Sequence, residues 1–138
     1  MEKIVFLDRD GTINEEVNYL HRTEDLKFLP GVPEALRLLK EAGFKLVVVT
    51  NQAGVARGYY TCADVEHLHA YMNEELKKYG AEIDAFYYCP HHPVHGIGIY
   101  KKVCQCRKPG TGMFLQAEER FRIDKAHSYM IGDKLLDV

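Results

Sequence analysis

Ile4-Val5-Phe6-Leu7-Asp8-Arg9-Asp10-Gly11-Thr12-Ile13 is the stretch whose reading decides the fold. Four apolar residues in a row read as a strand buried on both faces. The run then meets two aspartates one residue apart, followed by a glycine. In a parallel α/β sheet, ligands bind beyond the carboxyl ends of the strands, and Asp8 and Asp10 stand at such an end. Read locally, they lie side by side and unneutralised. Two close carboxylates repel unless a cation joins them or one holds a proton. A hard cation such as Mg²⁺, which prefers carboxylate and carbonyl oxygen, is the expected partner. The plainer reading is a strand running into a polar turn, for which Asp-Gly is a common dipeptide.

The chain outward from this stretch repeats one unit. Asn14 to Arg22 is polar and without clean periodicity, an excursion placed to cover a site at the strand end. Leu29-Pro30-Gly31 is a turn, and Val32, Ala35, Leu36 and Leu39 then follow helical spacing up to a stop at Gly43. Lys45 to Val49 is a second buried strand, so strand, helix and strand make a βαβ unit and the sheet is parallel. Thr61 and Asp64 are spaced as a helix-capping pair. Val65, Leu68, Met72, Leu76 and Tyr79 form the apolar stripe of that helix, with Gly80 as its stop. Ala85–Tyr88 reads as a third strand, Gly112–Phe121 as a third helix, and Ser128–Ile131 as a fourth strand ending in Gly132-Asp133. The order βαβαβαβ predicts a doubly wound, Rossmann-like α/β sheet with one core, a single domain over residues 1–138. Lys134 to Val138 reads as the entry to another helix, so a further helix and strand are expected to be missing and the fourth strand to be an uncovered edge.

Composition bounds the function. The 138 residues are 46% hydrophobic and 28% charged with a net charge of −2, ordinary for a soluble globular domain. No basic field is present to collect nucleic acid. No apolar stretch approaches the ~20 residues that span a bilayer. The N-terminus enters the first strand at once, which leaves no room for a secretory leader. A cytoplasmic monomer is the expectation, and its clustered cysteines then suggest metal rather than disulfides.

Three strand ends bring polar residues to one sheet edge: Asp8 and Asp10, Thr50 and Asn51, and Asp133. Asp8-Arg9-Asp10-Gly11-Thr12 resembles motif I, D-x-D-x-T, of the haloacid dehalogenase-like phosphatases. Thr50-Asn51 matches motif II, Lys108 motif III, and Gly132-Asp133 with Asp137 motif IV, G-D-x-x-x-D, in order along essentially the whole chain. The resemblance implies phosphoryl transfer, which needs an in-line nucleophile and neutralised equatorial oxygens. It makes Asp8 the nucleophile that forms an aspartyl-phosphate and Asp10 the general acid and base. It assigns Mg²⁺ to Asp8, the Asp10 carbonyl and Asp133. Thr50, Asn51, Gln52, Arg107, Lys108 and Lys134 are assigned to phosphate and substrate.

Cys89-Pro90-His91-His92-Pro93 and Cys104-Gln105-Cys106 form a second cluster. Two closely spaced pairs across a loop are what tetrahedral Zn²⁺ needs, and three thiols with one imidazole suggest a closed structural site. Cys89, His91, Cys104 and Cys106 are the expected ligands, with His92 competing with His91 and His95 more remote; free thiols are the alternative. Cys-Pro-His-His-Pro with Cys-x-Cys-Arg-Lys-Pro resembles the zinc-containing branch of the superfamily. That branch holds heptose bisphosphate phosphatases and histidinol-phosphate phosphatases. Thr50-Asn51-Gln52-Ala53-Gly54-Val55-Ala56-Arg57-Gly58 and the long zinc loop 89–106 favour the heptose side. The resemblance therefore implies a Mg²⁺-dependent phosphatase, without a large cap domain, acting on the C7 phosphate of a heptose 1,7-bisphosphate. Histidinol phosphate is the alternative substrate. A binding module that keeps the fold without catalysis is the alternative class.

Overall fold

The computed structural model describes residues 2–17, 19–92, 98–101, 104, 106–108 and 111–132. Its elements are β1 (Ile4–Leu7), α1 (Val32–Glu41), β2 (Lys45–Asn51), α2 (Ala53–Ala56), α3 (Cys62–Lys77), β3 (Ala85–Cys89), α4 (Gly112–Arg120) and β4 (Tyr129–Ile131). The four strands form one sheet in the order β3-β2-β1-β4, and every pairing is parallel. The chain steps outward from β1 through β2 to β3, then returns to the other side of β1. That reversal puts the topological switch point of the sheet beside β1, where ligands of such sheets bind.

Both faces of the sheet are covered along β1 and β2, which explains their unbroken apolar runs. Val5, Leu7, Leu46 and Val48 pack with Leu36 of α1 and with Leu68, Met72 and Leu76 of α3. The alternate residues Ile4, Phe6, Val47 and Val49 pack on the opposite side with Met113 and Ala117 of α4. Neighbouring side chains of one strand thus enter two different cores, and the sheet is doubly wound as expected.

The helix boundaries follow local chemistry. Gly31 and Gly43 bracket α1 with φ of 77° and 92°, a conformation that favours glycine. Thr61 and Asp64 form a reciprocal capping box: the Asp64 N–H donates to Thr61 Oγ1 at 3.1 Å and the Thr61 N–H to Asp64 Oδ2 at 2.9 Å. β3 runs one residue further than the sequence reading, to Cys89, while α4 stops one residue earlier, at Arg120, and β4 starts one later, at Tyr129; three other differences are larger. β2 runs two residues beyond Val49, because Thr50 and Asn51 pair with Tyr88 and Cys89 of β3. α3 ends at Lys77, so Tyr79 lies past the helix and is exposed instead of closing the apolar stripe. The segment after Gln52, given no element in the sequence reading, winds into α2, where the Tyr60 ring fills the space a Cβ on Gly54 would need. In β4, Tyr129 and Ile131 are exposed, and the strand pairs with β1 alone among the described residues. Among those residues no helix is long and apolar enough to cross a membrane.

Candidate active site

The ladder between β1 and β4 closes with Leu7 opposite Ile131, and the Asp8 N–H donates to the Ile131 carbonyl at 3.0 Å. Asp8 is therefore anchored by backbone at the switch point, with 8% of its surface exposed. Lys108 Nζ lies 3.2 Å from Asp8 Oδ1, and the Arg9 N–H donates to the same oxygen at 2.8 Å. The chain then turns sharply: Gly11 takes φ 83°, and the Ile13 N–H donates to the Arg9 carbonyl at 2.9 Å.

That turn folds Arg9 back under the site. Its side chain is wholly buried, and Nε and Nη2 fork onto Asp10 Oδ1 and Oδ2, each at 3.0 Å. Nη2 also donates to the Leu20 carbonyl at 3.2 Å and to Gln52 Oε1 at 3.1 Å. Asn14 Nδ2 adds a bond to Asp10 Oδ1 at 3.0 Å. The reading of two carboxylates unneutralised by the local sequence is corrected here. The residue between them neutralises Asp10, because a buried guanidinium requires a counter-charge and full hydrogen bonding.

The end of β2 supplies the facing wall. Thr50 Oγ1 accepts from Gln52 Nε2 at 3.0 Å, and the Tyr60 hydroxyl donates to Gln52 Oε1 at 2.7 Å. Burial pushes the Tyr60 phenol up to about 12, so it remains a donor. Asn51 clasps the backbone of Lys108: Oδ1 accepts the Lys108 N–H at 2.8 Å and Nδ2 donates to its carbonyl at 3.2 Å. The clasp ties the end of β2 to the segment that carries the cation facing Asp8.

Asp8, Asp10, Thr50, Asn51, Gln52, Arg107 and Lys108 line one cavity of about 300 Å³. Asp133 and Lys134, the other expected site residues at this edge, lie outside the described residues. From the Asn14–Arg22 excursion, Glu16, Val17 and Tyr19 line the cavity. Tyr60 was not foreseen; the short helix α2 turns it inward, and nothing in the sequence marks that turn except Gly54.

The cysteine cluster assembles as well. The ligand atoms of Cys89, His91, Cys104 and Cys106 all lie within 4.8 Å of one another. Cys89 Sγ is 3.3 Å from Cys104 Sγ, which is 3.2 Å from Cys106 Sγ, and His91 Nδ1 is 3.3 Å from Cys106 Sγ. His91 rather than His92 joins the thiols; the backbone N–H of His92 donates to the Tyr100 carbonyl at 3.0 Å. His95 lies outside the described residues. Cys89 ends β3 and is fully buried, and burial pushes its thiol up. A bound cation is what converts such a thiol into a thiolate ligand. Arg107 Nη1 reaches the His91 carbonyl at 3.4 Å, so the cluster and the cavity share one loop. Cys62 stands apart, with its sulfur 3.8 Å from the Tyr100 hydroxyl.

A family profile described as polynucleotide kinase 3 phosphatase matches residues 3–135. A D-glycero-beta-D-manno-heptose-1,7-bisphosphate 7-phosphatase of Escherichia coli O6:H1 is 50% identical over 134 residues, 97% of this chain and 70% of its own length. A solved structure from Mesorhizobium loti, assigned as a haloacid dehalogenase-like phosphatase, superposes with a TM-score of 0.92 at 34% identity, over 99% of this chain and 65% of that one. The D,D-heptose 1,7-bisphosphate phosphatase of B. bronchiseptica, solved with magnesium and phosphate, gives 0.84 at 34% identity over 98% and 72%. The parallel sheet, with Asp8 and Asp10 at its switch point, is therefore that of a haloacid dehalogenase-like phosphatase fold. Within that class the chain belongs to the family of D-glycero-D-manno-heptose 1,7-bisphosphate 7-phosphatases.

Proposed function

We propose that this chain is a Mg²⁺-dependent phosphoric monoester hydrolase that removes the C7 phosphate of D-glycero-D-manno-heptose 1,7-bisphosphate. The observation that carries the reading is Asp8, fixed by backbone at the switch point, with Lys108 Nζ 3.2 Å away at the floor of a cavity. Relatives at about half identity that bear this activity by name support the substrate. The all-oxygen donor set of Asp8, the Asp10 carbonyl and Asp133 fits a hard cation. When bound, Mg²⁺ supplies charge that neutralises the phosphoryl oxygens.

The chain's own groups do the rest. An Asp8 oxygen attacks phosphorus in line, the bond to the sugar oxygen breaks, and an aspartyl-phosphate forms. Asp10 gives a proton to the departing sugar oxygen, then takes one from the water that releases phosphate. Lys108 and the Thr50 end of β2 face the charge that builds on the phosphoryl oxygens. In this reading Arg107, which lines the cavity, meets the substrate. Zn²⁺ held by Cys89, His91, Cys104 and Cys106 belongs to this proposal as a structural ion that shapes the Arg107–Lys108 segment. So does cytoplasmic location, which suits free thiols and a phosphorylated sugar.

Phosphate release from the heptose bisphosphate and from histidinol phosphate, with and without Mg²⁺, tests the reading. A higher kcat/KM for the heptose compound is expected. A preference for histidinol phosphate reverses the substrate, and no Mg²⁺-dependent release from any phosphomonoester overturns the phosphatase.

A further inference from the structure

One buried polar contact is not used by the reaction above. Arg9 Nη1 lies 3.2 Å from Nε2 of His69, a residue of α3 that does not line the cavity. His69 is 4% exposed, and its ring stacks on Phe86 with centroids 4.5 Å apart and planes 18° from parallel. Arginine has only donors, so Nε2 accepts this bond and the ring proton sits on Nδ1. Burial, with the Arg9 charge adding to it, pushes His69 down to about 3, so the ring stays neutral and keeps that acceptor.

The bond completes a fixed frame. A guanidinium is planar, and its donors point in set directions. His69 holds Nη1, while the Leu20 carbonyl and Gln52 Oε1 hold Nη2. With both ends of the plane held, the remaining edge formed by Nε and Nη2 meets the two Asp10 oxygens at 3.0 Å each. The plane of Arg9 thus holds both Asp10 oxygens, with Asn14 Nδ2 adding to Oδ1, and His69 on a neighbouring helix holds the Nη1 end of that plane.

We propose that His69 is a positioning residue: by fixing the Arg9 guanidinium it aims the Asp10 carboxyl at the sugar oxygen that leaves. The role rests on the phosphatase reading. It predicts a defect specific to proton transfer, and only the leaving group's need for a proton can reveal one. A sugar alkoxide needs protonation, whereas p-nitrophenolate leaves unaided.

The test compares kcat/KM, which reports the leaving-group step, for the heptose bisphosphate and for p-nitrophenyl phosphate. The ratio of the two on one preparation does not depend on the fraction of chain folded. His69→Phe, which removes the acceptor, is expected to lower the sugar-phosphate value about tenfold more than the aryl value. His69→Gln, whose amide oxygen can accept the same bond, is expected to bring the ratio back to within about threefold of the parent. Equal losses on both substrates, or no loss in His69→Phe, overturn the role. So does a crystal structure of His69→Phe in which Arg9 still forks onto Asp10 unchanged. A parent chain that turns over neither substrate overturns the phosphatase reading itself, and with it the role. A parent active on both, with variants that fall in parallel, overturns the role alone.

Discussion

The carboxylate end of β1 and the cysteine cluster both gather candidate metal ligands, yet they are held in opposite ways. At the end of β1 the chain supplies its own counter-charges. Arg9 forks onto Asp10 and Lys108 faces Asp8, both cations almost entirely buried. Backbone ladders and the Asn51 clasp fix those cations in turn. In the cluster, the short contacts run between the prospective ligand atoms themselves. Neutral thiols and imidazole have little reason to stay together, and a cation binds the thiols only as they lose protons. The comparison teaches that, on the proposed reading, the first site is a frame into which an ion fits, whereas the second would be a frame made by its ion. Losing Mg²⁺ should stop chemistry and spare the fold. Losing the cluster's ion should loosen the fold locally and weaken chemistry indirectly.

The largest effect should come from the carboxylate frame. Asp8→Asn keeps shape but removes the attacking oxygen anion, and kcat should fall by about 10⁴ or more. Because Lys108 and the strand ends remain, inorganic phosphate should still bind. Steady-state turnover with a phosphate-binding isotherm checks both. Turnover within tenfold of the parent would end the covalent mechanism.

Cys104→Ser tests the other side at a smaller scale. One lost thiolate should cost about 3 kcal/mol of local stability, seen as a lower Tm. It should lower kcat/KM about 10- to 100-fold as Lys108 drifts from Asp8, while Mg²⁺ affinity stays near that of the parent. Metal analysis should find close to one zinc per parent chain. If the parent carries less than a tenth of an equivalent and is fully active, the cluster is a group of thiols and the contrast collapses.

The two regions also differ in how far the sequence revealed them. The strand ends could be read because a buried parallel strand announces itself by an apolar run, and the polar residue after it must stand at the sheet edge. The spacing of Cys89, Cys104 and Cys106 suggests a cluster and leaves His91 and His92 competing; only the fold, which brings the His91 ring to the three thiols, separates them. The buried middle was not legible. Arg9 sits between two aspartates where alternation points it away from them, and only the turn at Gly11 brings its fork back onto Asp10. Asn51 reads as a phosphate contact by motif, yet its side-chain amide is occupied by the Lys108 backbone, 57 residues away. His69 looks like an ordinary residue of an amphipathic helix, because local sequence carries no sign of a partner 60 residues distant. Side chains that answer to one another across the fold leave no periodicity to read.

The smallest effect sharpens the carboxylate frame by asking whether it holds one fixed charge or two. His69 is pushed from its ordinary value of 6.5 down to about 3, first by burial and then by Arg9. Between those values the unfolded chain binds a proton that the folded chain refuses. The stability His69 contributes is therefore complete above pH 6.5 and is lost progressively as pH falls toward 3. The slope cannot exceed about 1.4 kcal/mol per pH unit for one proton. From pH 6 to pH 5 the loss should be about 1 kcal/mol, or about 4 °C in Tm for a domain of this size. Asp124 beside His127, Asp64 in its capping box and Glu24 beside Arg22 are all held below their ordinary values, so their contributions fade at lower pH. The cluster's ligands titrate in parent and variant alike. The difference between the parent and His69→Gln thus isolates the ring: its stability should fall less steeply from pH 6.5 to 5. Parallel curves over that range would mean that His69 takes up its proton in the folded chain, placing a second cation against Arg9 and removing the acceptor that orients it.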